Sequence, residues 1–116
     1  MQRGDIVWVN FAPASNQPSH VQTWRRPAIV CTDNAQSSQL ATVSVVPGTT
    51  NLKALRFPST FRVDPSSQNG LTEPTVFLAC QIQTVDRRML GGKVGQCDVA
   101  TLEALTSALT STLGLG

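Results

Sequence analysis

Apolar positions in the first part of the chain fall in short runs instead of recurring at helical spacing. Ile6-Val7-Trp8-Val9-Asn10-Phe11 is rich in β-branched and aromatic residues and follows Gly4-Asp5, which predicts a first strand with a turn before it. Strand signals return at Pro27 to Thr32, Ala41 to Val46, Ser59 to Val63 and Thr75 to Val85, with Pro47-Gly48, Asn51, Asp64-Pro65 and Asn69-Gly70 as punctuation. Short strands at this spacing predict an all-β barrel or sandwich. Between the first two, Ala12 to Arg25 carries Pro13, Ser15, Asn16, Pro18 and Ser19 and reads as a long loop, of a length uncommon in compact domains unless it is functional or mobile. The loop delivers the chain to Arg25-Arg26-Pro27. Proline biases the residue before it toward extended backbone, so Arg26 is expected where loop becomes strand.

The period changes near the end. Asp98 is an N-cap candidate, Leu102, Leu105, Leu109 and Leu113 recur at helical spacing, and Gly114 follows as a stop. The leucine stripe reads as core packing. Gly91-Gly92-Lys93 reads as a turn. With no repeat, linker or low-complexity tract, residues 1–116 are expected to form one β-rich domain closed by a helix.

Composition narrows this picture. A chain of 116 residues that is 41% apolar and 14% charged has the balance of a folded domain, not of a disordered segment. The formal charge of +2 is too weak to announce nucleic-acid binding, although five of the nine basic residues fall as Arg25-Arg26, Arg56 and Arg87-Arg88. The three cysteines, an odd number without a C-x-x-C pair, suggest neither a disulfide framework nor a zinc site. Cys31 and Cys80 lie in strand patterns and read as buried small hydrophobes; Cys97, before the helix start, reads as structural. No apolar run approaches the roughly 18 residues of a membrane span, and no leader pattern opens the sequence, so the expectation is no membrane and a cytoplasmic protein.

Much chemistry is excluded. His20 is the one histidine, so neither a two-histidine acid/base pair nor a multi-histidine metal site can form within one chain. The seven carboxylates are dispersed singly, which disfavours a glycosidase dyad or a hard-metal cluster, and a phosphate-cradling G-x-x-x-x-G-K-[ST] is absent. No metal and no cofactor are expected. What remains is the arginines, Thr49-Thr50 after Pro47-Gly48, and Gln81 at the end of an apolar strand. Arginine offers a rigid bidentate fork, and a hydroxyl and an amide add donors, a set suited to stabilising charge on a phosphorane without a metal. RNA brings its own nucleophile, the 2′-hydroxyl, so such a protein could cleave RNA by alignment and charge compensation. The plainer alternative is that the arginines make surface salt bridges and Thr49 closes a turn.

The ordered motifs resemble the MazF/PemK family of toxin endoribonucleases along nearly the whole chain. Arg3-Gly4-Asp5-Ile6-Val7-Trp8-Val9-Asn10-Phe11 is similar to the family's opening strand, with Pro13 at its proline, and Arg26-Pro27-Ala28-Ile29-Val30 to its R-P-[AV]-[LV]-[VI] segment. Val45-Val46-Pro47-Gly48-Thr49-Thr50 resembles its V-x-P-x-T-[ST] strand end, Asn69-Gly70-Leu71 its G-L turn, and Cys80-Gln81-Ile82-Gln83-Thr84-Val85-Asp86 a later strand. Lys93-Val94-Gly95 and the leucine-rich helix complete the pattern. The resemblance implies a mainly β, SH3-like small barrel with a C-terminal helix, a homodimer, a cognate antitoxin, and metal-independent cleavage of single-stranded RNA to 2′,3′-cyclic phosphate and 5′-hydroxyl ends. It makes Arg26 and Thr49 the catalytic residues. Gln81, Arg25, Trp24, Gln22, Thr50 and His20 are assigned to substrate contact.

Two departures matter. Where the family often writes E-Q-x-G-x-R-P, this chain has Val21-Gln22-Thr23-Trp24-Arg25-Arg26-Pro27, so a carboxylate proposed as general base in some members is replaced by Val21. The base is then His20, water or an unassigned group. Trp24, in place of a glycine, could stack on an RNA base or pack on the barrel. Gln83 and Met89 occupy positions often basic in the family, so its sequence preference does not transfer. Two other classes stay open: a barrel toxin that inhibits a protein target, as the CcdB family does, although the tryptophan-glycine-isoleucine ending of that family is missing here, and a catalytically silent nucleic-acid or peptide-binding barrel.

Overall fold

A computed structural model of the chain describes residues 1–11 and 25–116. Seven strands, β1 Asp5–Asn10, β2 Arg25–Val30, β3 Thr42–Thr49, β4 Thr60–Val63, β5 Thr75–Leu78, β6 Gln83–Asp86 and β7 Leu90–Gln96, are joined by a short helix, α1 Asn34–Ser37, and closed by α2 Val99–Leu113. The sheet is antiparallel in the order β4-β5-β3-β2-β1-β7, with β6 on β3. No ladder joins β4 to β7 among the described residues, so the expected small barrel is an open, barrel-like sheet with one long helix.

β3 organises the fold because it changes partners midway. Thr42 to Val45 pair with β6, whereas Gly48 and Thr49 pair with Phe77 and Val76 of β5. Pro47 stands at the changeover, where its missing N–H takes no ladder bond away from either partner. Gly48 lets β3 cross close over β5: a Cβ there would come within 2.8 Å of Thr75 Cγ2 and 2.9 Å of Phe77 Cε1. The apolar signal from Thr75 to Val85 predicts one strand, but the chain breaks it with a 3₁₀ turn at Ala79–Gln81 in passing from one half of β3 to the other.

Apolar residues are buried on both faces of β1, β2 and β3, which is why these strands read as continuous runs. Ile6, Ile29, Val46 and Phe77 form one core with Cys97 and Leu105; Val7, Val9, Ala28, Val30, Val43, Val45 and Val85 form the other. The helix docks on the first core through buried Leu105, with Leu102 and Leu109 partly buried beside it. Leu113, expected in that core, is 54% exposed, since the stripe outruns the surface beneath it. Asp98 caps α2 by accepting a 2.8 Å bond from the Thr101 N–H, which also holds its carboxyl below the usual carboxylate range. Gly114 ends the helix at φ +69°.

Two further expectations are corrected. Gly91-Gly92-Lys93 lies inside β7, not in a turn. Glycine there admits a close approach, a Cβ on Gly91 meeting the Trp8 Cβ at 3.2 Å, and the β1–β7 register shifts twice along this ladder. Cys80 is exposed because it sits in the 3₁₀ turn, where strand alternation no longer decides burial, and Cys31 is half-buried; Cys97 is buried as expected. Burial pushes the Cys31 thiol up to about 11 and, helped by Asp98, Cys31 and Asp5, the Cys97 thiol up to about 12. Both therefore stay protonated and unreactive at neutral pH.

Asp5 ties the first strand to the last. Its carboxylate accepts from the Gln2 N–H at 2.8 Å and the Gln96 side-chain amide at 3.2 Å, and meets Lys93 Nζ at 3.5 Å. Burial disfavours its charge, yet these three partners outweigh that and hold its carboxyl below its ordinary 3.8. A folded value below the unfolded one means stability that is fully present above the unfolded value and lost as pH falls through the folded one. Asp5→Asn should thus lower stability at neutral pH by about 2 kcal/mol. In melts from pH 7 to pH 3 the gap to wild type should narrow on the acid side; a constant gap would remove the charge from the account.

Candidate active site

A cavity of about 300 Å³ opens where the changeover of β3 meets β2 and the turn before β5. β2 contributes Arg25, Arg26 and Pro27, the end of β3 contributes Gly48, Thr49 and Thr50, and the turn contributes Gly70 to Glu73, with Trp8 of β1 and Val94 of β7 at the sides. Ala28 faces Pro47 across the β2–β3 ladder, so two steps further along each strand stand Arg26 and Thr49. The two residues that the resemblance makes catalytic thus share one cavity.

Each wall is held by local chemistry. Thr49 Oγ1 accepts a 3.2 Å bond from the Asn51 N–H, and Asn51 Oδ1 caps the following 3₁₀ turn through the Lys53 N–H at 3.1 Å. Because the Thr49 oxygen is engaged as acceptor, its proton remains to be donated into the cavity. The Arg25 guanidinium lies 4.4 Å from the centroid of the Trp8 ring, a cation–π contact that fixes its direction. The Arg26 side chain is exposed and makes no hydrogen bond or ion pair with a described residue.

The opposite wall is the Ser66 to Leu71 turn, built around the buried side chain of Asn69. Its Oδ1 accepts from the N–H groups of Ser66 and Leu71, both at 2.9 Å, while its Nδ2 donates to the Asp64 carbonyl at 2.8 Å. Gly70 follows at φ +70°, backed by the Val94 carbonyl of β7, and the Gln96 N–H donates to the Gln68 carbonyl. The turn leads into Glu73 and Pro74, and Thr75 Oγ1 closes it on the Glu73 carbonyl at 3.0 Å.

Of the other expected site residues, Thr50 lines the cavity, and His20, Gln22 and Trp24 lie outside the described residues, as does Val21. Gln81 is not on this wall: it sits exposed in the 3₁₀ turn between β5 and β6 and does not line the cavity. The remaining arginines do not join the pair. Arg87 Nε donates to the Leu40 carbonyl, Arg88 pairs with Asp86 at 3.1 Å, and Arg56 stacks on Phe57. Trp8 and Glu73 are lining residues with no signal of their own in the sequence, one because it reads as a core aromatic and the other because the pairing of the strand that follows it, β5, is not legible there. Among the described residues no three His, Cys, Asp or Glu side chains gather, and no helix is long and apolar enough to cross a membrane.

This architecture is similar to solved toxins. A mycobacterial endoribonuclease solved with its cognate antitoxin matches with a TM-score of 0.76 at 24% identity, over 100% of this chain and 97% of that one. The Mycobacterium tuberculosis toxin MazF-mt6 gives 0.76 at 23% identity over 97% and 98% of the two chains. A chain of a MazE–MazF crystal structure from Deinococcus radiodurans gives 0.76 at 26% identity over 100% and 97%. No curated protein matches the chain. Residues 2–113 match the family model of the PemK-like, MazF-like toxins of type II toxin–antitoxin systems, and the chain belongs to that family.

Proposed function

We propose that this toxin is an endoribonuclease that cuts single-stranded RNA without a metal, through attack of the 2′-hydroxyl on the adjacent phosphorus. The observation that carries the reading is that Arg26 and Thr49 line one cavity, the Thr49 hydroxyl accepting from the Asn51 N–H and keeping its own proton to donate. Arg26 compensates charge at the departing 5′-oxygen, and Thr49 donates to a non-bridging oxygen of the phosphorane. Arg25, held over Trp8, binds a neighbouring phosphate and leaves the Trp8 ring beside the path of a base. The reading includes a homodimer and a cognate antitoxin whose acidic, extended tail occupies the RNA groove, and a cytoplasmic substrate.

Purified protein should cut a long unstructured transcript in EDTA, leaving 2′,3′-cyclic phosphate and 5′-hydroxyl ends. Mapping the ends by their resistance or susceptibility to phosphatase and kinase checks the chemistry. Loss of cutting on chelation, or 5′-phosphate products, would remove the mechanism.

A further inference from the structure

A 2′-hydroxyl that attacks phosphorus must give up its proton, and neither guanidinium nor threonine is equipped to take it at neutral pH. The family carboxylate position is held by Val21, so a base must come from elsewhere. Among the described residues that line the cavity, three are charged: Arg25, Arg26 and Glu73. Glu73 alone of these can accept a proton.

We propose that Glu73 is the general base of this site, supplying from the turn before β5 the carboxylate that the loop before β2 lacks. The inference rests on the ribonuclease reading above. The position of Glu73 is set from both sides. Val76 stands opposite Thr49 on the β5–β3 ladder, and Glu73 lies three residues before it, within about 10 Å of chain. Pro74 restricts the Glu73 backbone to extended conformations, and the Thr75 hydroxyl holds its carbonyl. The carboxylate is exposed and makes no hydrogen bond or ion pair with a described residue. In a cavity that must receive a polyanion, a carboxylate opposes binding. Taking the 2′-hydroxyl proton is a role that would account for a negative charge there.

The step balances as follows. The Glu73 carboxylate takes the proton of the 2′-hydroxyl as the O2′–P bond forms. The P–O5′ bond breaks with its electron pair on O5′, which takes a proton from solvent beside Arg26. The hydroxide so produced is neutralised when Glu73 returns its proton, leaving a cyclic phosphate, a 5′-hydroxyl and an unchanged enzyme.

The test uses the full chain and a short unstructured RNA containing a site mapped with the wild-type protein. Glu73→Gln should lower kcat by about 10²-fold, with the melting temperature unchanged. Binding of the same oligonucleotide carrying a 2′-deoxy nucleotide at the cut site should be unchanged or tighter. A 5′-bridging phosphorothiolate, whose sulfur leaves without a proton, should rescue Arg26→Ala and fail to rescue Glu73→Gln. Wild-type kcat in Glu73→Gln, rescue of that variant by the thiolate, or a loss expressed only as weaker binding would each overturn the assignment. Failure of the underlying reading looks different: the wild type would cut no RNA, or Arg26→Ala would cut as fast as the wild type.

Discussion

Arg26→Ala is expected to lower single-turnover RNA cleavage by about 10³-fold, the range for removing a donor aimed at developing charge. The melting curve should stay in place, because the Arg26 side chain is exposed at the start of β2 and makes no hydrogen bond or ion pair with a described residue. That combination is the signature of a group that acts in the transition state. As the P–O5′ bond lengthens, charge moves onto the departing oxygen, and the planar fork of the guanidinium can meet it with charge-assisted hydrogen bonds. Arg26→Lys keeps the charge and loses the fork, so it should recover part of the rate only. Arg25→Ala provides the contrast: Arg25 is stacked on Trp8, beside the chemistry and not at it, and its loss should appear in KM. Equal rates for Arg26→Ala and wild type would displace Arg26 from the site.

Gly70→Ala is expected to be the most damaging single methyl group in the molecule, costing about 3 kcal/mol or more from positive-φ strain and overpacking together. Gly70 has φ +70°, and a Cβ built on it would fall inside the Val94 carbonyl of β7. The obstacle is backbone, so no rotamer change relieves it. Gly95→Ala attacks the same seam from the other side, where a Cβ would overlap the Asn69 carbonyl. Urea unfolding of the two variants should give large shifts in midpoint, and activity should fall with the folded fraction. Wild-type midpoints for both would mean that the turn does not run against β7 in this way. Gly92 is the control, since a methyl group there would meet nothing within 4 Å: Gly92→Ala should be tolerated.

What the sequence revealed follows from which features are local. Asp98 and Gly114 mark their helix because capping and left-handed stops act within a few residues. Arg26 could be placed at a strand mouth because proline restricts its immediate neighbour. Thr49 is close to Arg26 in space for a different reason, the β2–β3 register, and only the ordered resemblance of motifs stood in for that long-range fact. Glu73 had no such help. It is one dispersed carboxylate among seven until β5 is laid on β3 and the Asn69 turn aims the chain at the cavity. The break at Ala79–Gln81 was hidden for a similar reason: both halves of the segment have strand propensity, and the division comes from β3 changing partners. Gln81, read as a strand end, falls in that turn.

The β1–β7 ladder has a consequence for the birth of the protein. Asp5 pairs with Gln96 and Ile6 with Gly95, so an early strand waits for one made some ninety residues later. The turn that carries Glu73 is backed by the same β7, through Val94, Gly95 and Gln96. On a ribosome, then, both arginines and Thr49 emerge long before the wall opposite them can be braced. Such non-local closure is slow and comes late in folding. The cavity of this chain is therefore expected to take its final shape only once β7 has been made.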